Sequence, residues 1–447
     1  MHRVKEDNLF PDVARVTTAS QQNGRINKVE ASDRPIHDWY RFVLSFPPHL
    51  VRDYLASLGV QKASTVLDPF CGTGTTVLES RLAGFRAIGI EANPFLCFAA
   101  RTKLDWSIDP KSLLKNSDLI AKKALREIRE TGFDDRIPLS SFDDGAGLKT
   151  LEPSQTKLLI TDCISALPLH KVLILLGTIE REAEDRLEGH QKLALAKSLV
   201  FSISNLRFGP EVGVGKIRTD VSVVDAWLKE IRSMSSDIEG LQGHRYRSAT
   251  IIEGDSRLVS RHLHENSVDV VITSPPYPNE KDYTRTTRLE SVILGYFSEM
   301  SELREMKKGL IRSNTRGAYK EDVDDAWVTT NSRIDELADR IEKRRIELKK
   351  TSGFEKLYAR VTKLYFGGMT RHFAELRSVL KPGAKLAYVV GDQASYLRVM
   401  IRTGELLAEI AEGLGYEVNG IDLFRTRAAT ATRSTLREEV VRLTWPG

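Results

Sequence analysis

Two stretches of this 447-residue chain combine residue types that do chemistry. The first is Asp68-Pro69-Phe70-Cys71-Gly72-Thr73-Gly74-Thr75-Thr76, entered from Val66-Leu67 and followed by a helix-like run from Val77 to Leu82. A strand, a tight glycine turn and a helix bring bare backbone N–H groups up to a nucleotide-like ligand. Val77 stands where the third glycine of a dinucleotide fingerprint would fall, and no Gly-Lys-Ser/Thr follows, so NAD, FAD and a P-loop are disfavoured. The turn suits a ligand with a ribose and a carboxylate or amine. Glu91 closes the next strand-like run, where a carboxylate can accept from ribose hydroxyls. The second stretch, Thr273-Ser274-Pro275-Pro276-Tyr277, ends the apolar run Val268 to Ile272. Taken alone it is a strand-terminating turn.

The elements that must position these stretches alternate along the chain. Residues 1 to 35 are an aperiodic polar arm. His37 to Phe42 and Phe46-Pro47-Pro48 lead into a helix from His49 to Leu58, with the prolines at its start. Strands are expected at 65–68 and 86–91, then at 250–255, 268–272, 385–390, 416–423 and 438–445. Helical patterns separate them: 111–131, 171–188, 191–205 and 221–234, then 333–350 with Ile334, Leu337, Ile341 and Leu348 on one face, 354–379 and 398–414. Leu380-Lys381-Pro382-Gly383 reads as a helix stop. Strands alternating with helices imply a mostly parallel sheet.

Composition is that of a soluble globular protein, with 41% apolar and 28% charged residues. The longest apolar runs, such as Val172 to Leu176, fall short of a membrane span, and Met1 to Asn8 lacks the apolar core of a secretory signal. Cys71, Cys97 and Cys163 form no Cys-x-x-Cys pair, which argues against disulfides or zinc. A cytoplasmic address is expected. His262 and His264, with no cysteine or acid cluster beside them, are read as surface residues, so no metal is assigned.

Together the two stretches resemble the amino-group DNA methyltransferases, which methylate cytosine N4 or adenine N6 with S-adenosylmethionine. Phe46-Pro47-Pro48 matches the family's segment over the methionine part of the cofactor. Glu91-Ala92-Asn93-Pro94 matches its ribose-binding acid and turn, and Gly254-Asp255-Ser256 its adenine-contacting acid. The match covers roughly 36–100, 248–295 and 354–447. The resemblance implies a Rossmann-like class I methyltransferase sheet of seven strands, the last antiparallel, with helical insertions. Its parts are a polar arm (1–35), a first methyltransferase part with the cofactor loop (36–100), a helical insertion that is the candidate target-recognition region (101–247), a catalytic part (248–297), a second insertion (298–352) and a C-terminal part (353–447). The cofactor-binding residues it implies are Phe46, Pro47, Asp68, Phe70, Cys71, Gly72, Thr73, Gly74, Thr75, Thr76, Glu91, Asn93, Asp255 and Ser256.

It also assigns catalysis to Ser274, Pro275, Pro276 and Tyr277. An exocyclic amino group is a poor nucleophile because its lone pair is delocalised into the ring. A serine hydroxyl and a proline carbonyl can accept both amino hydrogens, freeing the lone pair, and the two prolines stiffen the loop. Tyr277 would stack on a base extruded from double-stranded DNA. Carbon-5 methylation would need a nucleophilic cysteine in a Pro-Cys pair, which is absent. Serine at 274 favours cytosine N4 over adenine N6. An RNA methyltransferase of the tRNA guanine-N2 type, a non-catalytic DNA-binding relative and, behind them, a protein glutamine methyltransferase are the alternatives. A companion restriction endonuclease is a further expectation.

Basic stretches complete the reading. Lys307, Lys308, Arg312 and Arg316 in 306–320, and Arg425, Arg427 and Arg433 in 424–437, have no acid in the first stretch and hydroxyls interleaved in the second, and are expected to grip phosphates. The loop from Arg207 to Lys216 is the weakest candidate of this kind. Sequence reading of the DNA is expected of the first insertion.

Overall fold

The computed structural model describes residues 30–41, 45–137, 147–208, 211–279, 281–428 and 435–447. Its strands are β1 (Thr65–Asp68), β2 (Arg86–Glu91), β3 (Leu206–Phe208), β4 (Val212–Val214), β5 (Ala249–Glu253), β6 (Val268–Thr273), β7 (Leu380–Gly391), β8 (Glu417–Ala428) and β9 (Thr435–Trp445). Seven of them form one sheet in the order β5-β2-β1-β6-β7-β9-β8, while β3 and β4 make a separate hairpin. The first five in that order run parallel, and β9 is antiparallel to both β7 and β8. This is the expected class I methyltransferase sheet, with its last strand antiparallel.

Alternation along each strand sends side chains to opposite faces. Val66, Val270, Ile272, Ala387, Val389 and Val440 meet Leu50, Val51 and Tyr54 of helix α1 (Pro48–Ser57) on one face. Leu67, Val271, Leu386, Tyr388, Val390 and Val441 meet the helix Tyr358–Leu376 on the other. Both faces are covered, which explains why the central strands read as near-continuous apolar runs. At the base of β6, Asp269 is the exception: it accepts from Thr65 N at 2.8 Å and Lys381 Nζ at 2.7 Å, pinning β1, β6 and β7.

Residues 101–247 hold the helices Pro110–Glu130, Ala166–Glu182, Asp185–Ser198 and Val223–Leu241. The expected helix 171–188 is broken at Ala183 and Glu184, whose extended backbone lets the next helix start afresh. Trp227, fully buried, donates to Gln191 O at 2.9 Å and locks two of these helices together. In 298–352, the helix Ser332–Glu347 packs Ile334, Leu337 and Ile341 onto the sheet-covering helix, whereas Leu348 lies past its end and is exposed.

β7 begins earlier than expected. The run Leu380 to Gly383 does not stop a helix. It opens the strand and carries a register shift against β6, with Gly383 in the left-handed region at φ 82°. A proline and a left-handed glycine are tolerated there because the irregular pairing asks nothing of the missing N–H.

Candidate functional site

The glycine turn leaves β1 at the C-terminal edge of the sheet. Gly72 (φ 50°) and Gly74 (φ 81°) both adopt the left-handed backbone, and Gly74 N closes the turn on Cys71 O at 2.7 Å before the helix Thr75–Leu82 begins. A side chain on Gly89 would approach Cys71 Sγ to 2.7 Å, so the neighbouring strand must be bare for the turn to seat. Cys71 is a buried filler whose thiol is pushed up by burial and by the nearby carboxylates, as unsuited to a nucleophile as expected.

Glu91 faces the turn from β2. One carboxylate oxygen accepts from Gly72 N at 2.9 Å and the other from Asn93 N at 2.8 Å. Burial raises its pKa to about 7 against these two backbone donors. Below the loop, Lys103 is fully enclosed and donates to Thr73 O at 3.0 Å; burial lowers its pKa to about 7, with the Arg41 charge adding to the fall. No sequence signal marks Lys103 as part of the loop.

One cavity of about 880 Å³ opens over this edge. It is lined by Phe46, Pro47, Phe70, Cys71, Gly72, Thr73, Thr75, Glu91 and Ser256, and by Ser274 through Tyr277. Its size is that of a small-molecule site. Thr73 Oγ is buried with no partner among the described residues, an uncommitted polar atom in the turn itself. Bare left-handed backbone, a carboxylate beside it and this hydroxyl fit a ligand carrying a ribose and an amino-acid end.

Five of the expected ligand residues are used otherwise. Asp68 is buried beneath the turn, where its Oδ1 accepts from Phe70 N at 3.1 Å and Thr273 Oγ at 2.5 Å; burial raises its pKa to about 6, opposed by these bonds. Asn93 does not line the cavity: its side chain caps the helix Pro94–Leu104 by accepting from Phe95 N and Leu96 N. Gly74 and Thr76 shape the turn from behind the lining. Asp255 turns away toward Arg257, which grips it at 2.7 Å and also pairs with Asp324. Arg257 and Asp324 lie far apart in the sequence, and no local pattern links them. His372, also unmarked, supports the lining from behind by bonding Ser256 O at 2.8 Å while its ring meets Phe70 edge-on.

The second stretch leaves β6 beside the turn. The Ser274 hydroxyl lies 3.5 Å from Tyr277 OH, and Tyr283 OH accepts from Tyr277 N at 3.3 Å. The Tyr277 ring lies so close to Gly391 that a side-chain carbon there would come within 3.0 Å of it.

The basic stretches divide. Arg312 is a correction: it is buried, bidentate to Asp322 at 2.8 Å, and donates to the carbonyls of Lys307, Leu310 and, at 3.3 Å, Lys308, so no donor remains for phosphate. Lys307 is likewise mostly buried and paired with Asp282 at 2.8 Å. The stretch has no acid of its own, but the fold supplies acids from outside it. Lys308, paired to Glu305, and Arg316, its guanidinium 5.9 Å from the Phe354 ring centre, are exposed. Arg425 pairs with Glu438 at the cavity wall. The side chain of Arg427 and all of Arg433 lie outside the described residues.

Known proteins bear on this geometry. A family model described as "DNA methylase" matches residues 7–101. The type II methyltransferase M.BsoBI of Geobacillus stearothermophilus is 26% identical over 446 residues, covering 90% of this chain and 82% of its own. The type II methyltransferase M.AvaI of Nostoc is 24% identical over 430 residues, covering 91% and 85%. The solved structure of TrmN from Thermus thermophilus overlaps with TM-score 0.32 at 11% identity, covering 92% of this chain and 52% of that one, too loosely to carry weight. In sequence, the chain is similar to this DNA methylase family over its first part and to type II methyltransferases over most of its length.

Proposed function

We propose that the protein transfers a methyl group from S-adenosylmethionine to the exocyclic amino group of a DNA base, with cytosine N4 the favoured acceptor and adenine N6 the alternative. The observation that carries this reading is the shared cavity: the glycine turn and Ser274-Pro275-Pro276-Tyr277 line one space. Two adjacent parallel strands place them side by side.

Bound cofactor supplies an electrophilic sulfonium methyl. Gly72 and Thr73 present backbone to its amino-acid end, Glu91 accepts from its ribose hydroxyls, and Phe46 and Phe70 wall it from water. The Ser274 hydroxyl and the Pro275 carbonyl accept the amino hydrogens of the target base, and Tyr277 stacks on its ring. Positioning supplies much of the rate, since the transfer is direct. Serine at 274 supports the cytosine preference. Kinship with type II methyltransferases supports a duplex DNA substrate and, as an expectation, a companion endonuclease.

Expression in a host free of its own methyltransferases, followed by mass spectrometry of nucleosides from total DNA and RNA, tests the reading. N4-methylcytosine is the expected product. N6-methyladenine in its place moves the acceptor, and modified RNA with unmodified DNA overturns the substrate.

A further inference from the structure

At the C-terminal edge of the sheet, neighbouring strands present Glu91 on β2, the glycine turn after β1, Ser274 after β6, Gly391 at the end of β7, and Asp392 and Gln393 after it. Strand order alone therefore puts Ser274 between the cofactor turn and Gln393. A base whose amino group meets Ser274 must lay the rest of its ring away from the cofactor, toward β7.

Gln393 waits there. It lines the same cavity as Ser274 and Tyr277, and it is 5% exposed. Its backbone is fixed in both directions by Ile401, through Gln393 N to Ile401 O at 3.1 Å and Ile401 N to Gln393 O at 2.7 Å. Its neighbour Asp392 is held by Arg402 at 2.6 Å and Arg437 at 3.1 Å. Yet the Gln393 side-chain Nε2 is buried with no hydrogen-bond partner among the described residues. An amide donor taken from water and left unpaired costs free energy comparable to a lost hydrogen bond. A rigid mount, a cavity wall and an uncommitted donor together point to a ligand.

Resting on the proposed DNA amino-methyltransferase activity, we propose that Gln393 reads the ring edge of the extruded base, its amide donating to the ring nitrogen beside the amino group. That nitrogen is N3 in cytosine and N1 in adenine, an acceptor in both. In guanine and thymine the ring nitrogen of the pairing edge carries a hydrogen and cannot accept. Gln393 thus favours cytosine or adenine over a guanine or thymine presented by its N1 or N3 pairing edge, while Ser274 engages the amino group itself.

The test compares wild type with Gln393→Leu and Gln393→Glu, using plasmid DNA as substrate, labelled cofactor for rates and calorimetry for cofactor affinity. Gln393→Leu, similar in volume but without a donor, is expected to lower kcat/KM for DNA by roughly 10- to 100-fold while cofactor affinity stays within about twofold. Gln393→Glu is expected to be as impaired at about pH 8 and to recover several-fold relative to wild type near pH 5.5, where a protonated carboxyl regains a donor. A merely structural glutamine would show no such recovery. Gln393→Leu within about threefold of wild type, or a Gln393→Glu ratio that ignores pH, overturns the assignment while leaving the activity standing. Wild type that binds cofactor but leaves plasmid DNA unmodified removes the parent reading, and this one with it.

Discussion

The Thr273 hydroxyl donates to the Asp68 carboxylate at 2.5 Å, joining the last residue of β6 to the last residue of β1. Both groups are buried, and each is the first residue of a functional stretch. The bond therefore sets the spacing between the cofactor turn and the Ser274 loop. Thr273→Val keeps the shape and deletes the donor, leaving a buried carboxylate short of a partner. A loss of about 1–3 kcal/mol in urea unfolding is expected, with weaker cofactor binding by calorimetry. Unchanged stability would show that the two strand ends are set by sheet pairing alone.

Ser274→Ala should separate binding from chemistry. The hydroxyl contacts Tyr277, not the cofactor turn, so cofactor affinity should stay near wild type. The maximal methylation rate should fall roughly 10²- to 10³-fold, the loss typical of removing one preorganised group that acts on developing charge. Equal losses in binding and rate would instead mark Ser274 as part of the fold of the cavity.

In the proposed site, Glu91 should set a pH dependence for cofactor binding. There its carboxylate form would accept ribose hydroxyls, and burial raises its pKa to about 7. Affinity is thus expected to be full above that pH and to decline as pH falls through it. Titration calorimetry at several pH values checks the wild type. Glu91→Gln should bind more weakly at alkaline pH and lose this pH dependence, because no proton is taken up.

A second buried acid leaves its mark on stability. Glu290 accepts from Tyr40 OH, its other oxygen is unpartnered among the described residues, and burial raises its pKa to about 7. The native state therefore binds a proton that the unfolded chain releases at about 4.5. Stability from this group is greatest below about pH 4.5 and is lost as pH rises through about 7. Glu290→Gln should flatten the fall in melting temperature across that window, and a parallel profile in the variant would refute it.

The cations of 306–320 should sort by burial. Arg312→Ala leaves Asp322 inside without its bidentate partner, and a loss of about 3–5 kcal/mol is expected by denaturant unfolding. Lys308→Ala and Arg316→Ala should leave stability within about 0.5 kcal/mol. Each is expected to lower the salt slope of DNA binding by about 1 if it touches phosphate, as fluorescence anisotropy at several salt concentrations would report. A slope unchanged in both would remove this stretch from the DNA interface.

What the sequence by itself determined about this protein is local or periodic. Two left-handed glycines, strand-ending acids, a stiff Pro-Pro loop and alternating apolar residues write their geometry into adjacent positions. The mostly parallel sheet and the turn over Glu91 were therefore legible from the chain, whereas the antiparallel last strand followed only from the family resemblance. Other features depend on partners far away in sequence, and only tertiary structure could decide them. Lys103 reaches the carbonyl of Thr73, and Arg257 spans Asp255 and Asp324. Arg312 finds Asp322 and loses its availability to DNA, although its own neighbours look like a phosphate grip. Asn93, matched as part of a cofactor turn, is spent on capping a helix. Gln393 gains meaning only because β7 lies beside β6. Charge and burial are properties of the assembled packing, so a cation's freedom or an acid's pKa cannot be read from the residues on either side of it.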